Sequence, residues 1–297
     1  MLKFKIIKFG MLFAKTFKVI KLKIKELGMN KNEIAGVESV STRSNVILAN
    51  IAKCWFAVAV IGQWIMVYYV IAHYGGELLA GNTDVLESPN GHQSGLIALI
   101  IHVIIAVVTM GFGPLQLIPK IREKFPKFHR INGRIYLVTI FIGSILGLYL
   151  VWGYEKMPGG HAMFVAMNIM VLLIITFAFL TLRNAIARNI VQHRQWALRL
   201  FMVVNSGWFF RVGLMAWLLI HQAPVGFDPE TFEGPFIIAL AFAQYLLPLA
   251  LLELYFWAQQ KTDLKVKYGV CIILILATLL MAVGIFGAAA TMWLPKV

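Results

Sequence analysis

Seven apolar stretches, each about 20 residues long, decide what this chain can fold into. They run roughly over 54–74, 95–117, 135–153, 162–182, 197–220, 236–257 and 268–293. A helix of that length crosses the hydrocarbon core of a bilayer. Backbone polar groups have no water partners there, so only helices and closed β-barrels can span it. The run VLLIITFAFL at 171–180 shows no alternation of apolar and polar residues, which excludes a barrel strand. The expected fold is all-α: a polytopic transmembrane helical bundle of seven spans. With 60% hydrophobic residues and a mean hydropathy of +0.79, the chain is too apolar for a soluble fold of 297 residues.

The charges orient the bundle. The segment PKIREKFPKFHRINGR between spans two and three carries six Lys or Arg. Arg183, Arg188 and Arg194 follow span four, and Lys261, Lys265 and Lys267 follow span six. The alternate loops are acidic, with Glu77, Asp84 and Glu87, then Asp228, Glu230 and Glu233. Of 27 basic residues, Lys156 and Lys296 alone fall on the acidic side, and Arg211 lies within a span. Basic loops stay cytoplasmic, so the expected topology is N-terminus in and C-terminus out, as a multi-pass protein of the bacterial inner (cell) membrane. The net charge of +14 thereby reports topology and attraction to anionic lipid head groups at the inner face, and it is no sign of nucleic acid.

Three regions follow. Residues 1–28 carry eight lysines and one acid. Phe9, Phe13, Phe17, Ile20, Ile24 and Leu27 recur at steps of three or four, which is the stripe of a basic amphipathic helix lying on the inner leaflet. Met11 and Met29 offer alternative starts that would remove it. Residues 29–50 read as a polar linker, and 51–297 as the transmembrane bundle. Cys54 and Cys271 sit at span edges and form no disulfide or zinc pattern.

Four histidines fall on consecutive spans. His102 and His161 make an outer pair, and His129 and His193 an inner pair. Two neutral imidazoles from facing helices are a common way to hold haem iron in a membrane bundle. The inner pair should agree in depth. His102 lies about 10 Å into span two at 1.5 Å per residue, whereas His161 begins span four, so the outer pair agrees less well. Haem propionates pair with arginine, and Arg130, Arg134, Arg194 and Arg199 surround the inner histidines. Span two, a His-Arg loop and span three parallel span four, a His-Arg loop and span five; such parallel hairpins are a known repeat style. Spans two to five would then form a central four-helix core, with one, six and seven around it.

Other residues have a plainer reading beside the functional one. Arg211 lies at the depth of His102 with no acid beside it. It therefore needs an anion, a water-filled cavity, or hydrogen bonds to backbone carbonyls or Asn205. Glu253, the only acid within the spans, suits Arg199. His73, His92, His161 and His221 with Glu77 could bind zinc or copper, but without helical ligand spacing they read as scattered surface histidines. The sequence Gly111-Phe112-Gly113-Pro114 is the one expected break in a span, and Pro119 and Pro126 shape the loop that follows.

The motifs His102, His129-Arg130, Gly133-Arg134-Ile135-Tyr136, His193-Arg194, Trp196, Arg199 and Arg211 resemble the bacterial membrane family known as domain of unknown function 2306, over about residues 94–220. That resemblance implies a helical membrane core and marks those residues; it lends no activity. The placement of the histidines, as distinct from any sequence match, is similar to that of cytochrome b561 and membrane ferric reductases. The leading expectation is a b-type haem electron carrier, a transmembrane oxidoreductase. Its iron would be held by His129 and His193, with His102 and His161 at a second site, and quinone or a metal ion would be its redox partner. A permease using His102 and Arg211 is the second expectation. A cofactor-free scaffold or sensor is the third.

Overall fold

The computed structural model describes residues 31–82, 93–153 and 157–296, with side chains described from Arg43 to Pro295. Among them every regular element is helical. The amphipathic helix expected over 1–28 lies outside the described residues. In chain order, α1 spans Lys31–Tyr69, α2 Gly76–Leu79, α3 Gln93–Leu117, α4 Pro119–Lys124 and α5 Pro126–Gly153. Next come α6 over Gly160–Ile186, α7 over Ile190–Val204, α8 over Ser206–His221, α9 over Pro235–Gln259 and α10 over Leu264–Ala288. Short π-helical segments continue α1 over Val70–Gly75 and α10 over Ala289–Trp293.

Six helices are long and apolar enough to cross a membrane, and the α7–α8 pair makes a seventh span if counted as one. This is an integral membrane protein with several helical spans. Three sequence expectations change. The segment 29–50, read as a linker, is helical from Lys31 and runs unbroken into the first span. Span five, read as continuous over 197–220, is bent by 53° between Val204 and Ser206. The GFGP sequence, expected to break span two, lies inside α3 instead, with Pro114 and Gly113 buried. Neighbouring helices can re-satisfy the carbonyl that a proline leaves free within a span, whereas Asn-Ser-Gly places three poor helix formers in a row at 205–207.

The prolines act where chain geometry requires. The residue before a proline is pushed out of the helical region. Ile118 before Pro119 and Phe125 before Pro126 both leave the helix, and α4 stands between them. Asn189 caps α7 by accepting from the Gln192 amide at 3.4 Å, and Asp263 caps α10 from Lys265 at 2.8 Å.

Two packing centres result. In one, α5, α6, α7 and α9 enclose Tyr136, Met163, Ala178, Leu200 and Tyr245. In the other, α1, α8 and α10 enclose Ala59, Tyr69, Trp208, Val212 and Ile285, and Trp293 from the π-helical end of α10 joins them. Spans one, six and seven are therefore not peripheral, as they were expected to be. Lipid tails supply no hydrophobic drive between helices, so small residues that allow close approach decide which helices pack. A Cβ at Gly284 of α10 would overlap the Val212 carbonyl oxygen of α8; one at Gly287 would meet Leu219 at 2.6 Å; one at Gly62 of α1 would meet Ile285 at 2.6 Å. These three positions seat α10 between α1 and α8.

Candidate functional site

The two hairpins expected to repeat, α3–α5 and α6–α7, are both close helix pairs. Each places its histidine in the first turn of its second helix, and each histidine reaches back to the first helix. His193 donates from Nδ1 to the Thr181 carbonyl oxygen of α6 at 3.0 Å, since a carbonyl can only accept. His129 meets Gln116 of α3. In the orientation that satisfies all its neighbours, the Gln116 amide donates to His129 Nδ1 at 2.9 Å and to the His129 carbonyl oxygen at 3.1 Å, and accepts from Asn132 at 2.5 Å. Asn132 also donates to the Phe112 carbonyl at 3.1 Å.

Both inner histidines are half-buried and lie within electrostatic range of each other at the basic end of the bundle. The two rings thus come from separate hairpins and stand at the same end of the bundle. The His193 arrangement suits metal ligation, because the ring N–H held by a carbonyl leaves Nε2 as a lone-pair donor. His129 is set the opposite way, with Nδ1 accepting and the proton on Nε2. It would offer Nε2 to a metal once the Gln116 amide turned over and accepted from Nδ1. Turning that amide would also set its oxygen against the His129 carbonyl oxygen and its NH2 against that of Asn132, so a two-imidazole centre here requires Asn132 to rearrange as well.

The surrounding arginines divide. Arg199 is committed: its Nε and Nη2 reach the Glu253 carboxylate at 2.6 and 3.0 Å, as expected. Its guanidinium also lies 4.6 Å from the Trp196 ring centre and 5.4 Å from that of Phe256. Arg130, Arg134 and Arg194 are exposed and free to meet an anionic group.

The outer histidines are arranged differently. A Cβ at Gly147 of α5 would meet the His102 ring at 3.4 Å, and Gly143, one turn earlier, would meet Ile105 at 2.9 Å. His102 therefore sits where α3 and α5 pack together, opposite Gly147 and one turn from the tight Gly143–Ile105 contact. His161 is exposed at the start of α6 and stacks on Phe164 at 6.2 Å, behind Gly159 and Gly160, whose positive φ values make the turn into the helix. No contact joins His102 to His161 among the described residues. Nor do the described residues group three metal-ligating side chains; His92 lies outside them.

Arg211, on α8, donates from Nη1 to the Gly207 carbonyl oxygen at 2.8 Å, one of the two kinds of backbone or Asn205 contact expected for it. Near it stand Tyr69 and Tyr74, which the sequence reading overlooked. The signals were present as aromatic and polar residues at the end of span one, followed by Gly75 and Gly76.

Fold and site together define a polytopic helical membrane protein with a polar histidine–arginine end. A family model described as "Predicted membrane protein (DUF2306)" matches residues 99–255 of the 297, from α3 through most of α9. The chain belongs to that family. No curated protein and no solved structure matches it.

Proposed function

We propose that this protein is a b-type haem electron carrier of the bacterial inner membrane, with its basic end facing the cytoplasm and one haem held between His129 and His193. The observation that supports this reading is the placement of two imidazoles from separate hairpins at one end of the bundle, with His193 Nδ1 held by the Thr181 carbonyl oxygen. Bound there, haem would supply one-electron transfer across the basic half of the membrane. The Thr181 carbonyl oxygen fixes the His193 ring. Gln116 would accept from His129 Nδ1 and so free its Nε2. Arg130, Arg134 and Arg194 would pair with the carboxylates of the group, while Arg199 stays with Glu253. A quinone or metal ion is the redox partner this chemistry serves. The glycine packing around His102 favours one haem over two.

The test is a dithionite-reduced minus oxidised absorbance spectrum of detergent-purified protein from haem-supplied cells. A sharp b-type α-band, lost in His129→Ala and His193→Ala and kept in His161→Ala, is the expected result. A flat spectrum from folded protein rules the reading out.

A further inference from the structure

Span five holds a second polar centre that the haem reading does not use. Arg211 lies ten residues before His221, the end of α8, hence about 15 Å from it at 1.5 Å per residue. A cation at such depth defaults to a partner or to water. Its one hydrogen bond uses a single N–H and a carbonyl of its own helix. The only ion pair among the described residues is that of Arg199 with Glu253, so no acid neutralises Arg211.

What surrounds it is built of neutral donors and rings. The Tyr69 and Tyr74 hydroxyls are 3.5 Å apart and both lie within electrostatic range of the guanidinium. His73 stacks on Tyr69 at 5.5 Å and meets Tyr74 edge-on at 5.0 Å. His73 and Tyr74 belong to the π-helical turn Val70–Gly75, a local geometry frequent at functional sites. The Arg211 side chain is exposed while Trp208 and Val212 beside it on α8 are buried, so it lies at the edge of the packed core and not within it.

That edge has a definite place. Helices α1 and α8 both pack on α10, and large side chains bridge the space between them. Trp208 rests on Gly62, and Trp55 stacks on Phe209 at 6.1 Å. Three further buried polar groups have atoms without partners: both amide atoms of Gln63, Nε1 of Trp208 and Oδ1 of Asn205. Gln63 is 0% exposed and shares its helix stripe with Ala59, Met66 and Val70, which face Trp208 and Val212. Trp208 and Asn205 lie one and two turns before Arg211 on α8. Unsatisfied buried groups in a row call for an occupant with hydrogen-bonding capacity.

We propose that Arg211, with the Tyr69 and Tyr74 hydroxyls, binds a carboxylate anion at the edge between α1 and α8. One guanidinium balances one negative charge; a dianion would keep an uncompensated charge in a low-dielectric site. The planar fork of the guanidinium matches the two carboxylate oxygens better than a spherical halide. The carboxylate can come from a small acid in solution or from an amphiphile in the membrane. Neither source requires haem.

Thermal unfolding of the full-length protein in detergent tests this, with propionate and laurate as probes, the latter below its micelle-forming range, and propionamide and dodecanol as neutral controls. Saturable stabilisation by propionate marks a dissolved acid, and stabilisation by laurate alone marks a membrane amphiphile. In either case Arg211→Gln removes the response. Arg211→Lys weakens affinity about tenfold by losing the fork, and the Tyr69→Phe/Tyr74→Phe double variant weakens it about tenfold by losing the Tyr74 donor and the Tyr69 hydroxyl that donates to it. These two variants keep the test decisive if Arg211→Gln does not fold. No response to either acid, an equal response to the neutral controls, or an undiminished response in all three variants overturns the proposal and leaves Arg211 a hydrated structural cation.

Discussion

Each half of span five carries an arginine inside the apolar stretch 197–220, Arg199 and Arg211, and the two are held in opposite ways. On α7, Arg199 has a carboxylate at 2.6 Å and two aromatic faces. On α8, Arg211 has one carbonyl of its own helix and the nearby tyrosines. A paired and stacked cation fixes helix positions, here α7 against α9. A cation without an acid leaves the protein's own charge unbalanced at that point. The difference separates a packing role from a binding role within one span, and residue type alone could not have separated them.

The largest effect should come from removing the frame that holds α8 in place. Gly284→Ala drives a methyl into the Val212 carbonyl, a backbone atom that cannot rotate away. We expect a loss of about 3 kcal/mol, the upper part of the overpacking range, read as a lower unfolding midpoint in detergent. If the midpoint is unchanged, α10 does not seat α8 as described. Next, Glu253→Gln should cost about 1 kcal/mol, a modest figure because the carboxylate is half exposed and solvent screens it. The Arg199→Gln/Glu253→Gln double variant should cost less than the sum of the single changes, which a double-mutant cycle measures.

Gln63→Leu should work in the other direction. Replacing a fully buried, unpartnered amide by a hydrocarbon of similar size should raise ligand-free stability by about 1 kcal/mol. A drop instead would mean that the amide already has partners. The smallest effect is expected at Arg211. Without ligand, Arg211→Gln should shift stability by under about 0.5 kcal/mol, as for a solvated position. A loss as large as that of Glu253→Gln would erase the contrast between the two halves.

Much of this was legible in the residues. All seven apolar stretches fall within the membrane-length helices or the bent pair, because apolar length alone sets a span. The Arg199–Glu253 pair followed from having one acid in the spans at a matching depth. The break did not follow, because proline is the louder signal: Pro114 stays inside a helix that its neighbours support, while Asn205 ends one. Nor could periodicity show that spans one and seven join the core. That depends on three glycines whose meaning is clear only once the facing helix is known. The Tyr69–Tyr74 pair was missed because aromatic residues at a span end read first as an interfacial belt.

The joint at Asn205 also bears on how the protein sits in its membrane. At 1.5 Å per residue, α7 and α8 measure about 23 and 24 Å, together well beyond the hydrocarbon thickness of about 30 Å. A straight rod of that length would have to tilt steeply or stretch the lipid around it. The 53° elbow shortens the end-to-end reach of the pair, which spans as one bent unit. A change in bilayer thickness can then be met by opening or closing a single angle, leaving the neighbouring helices where they stand.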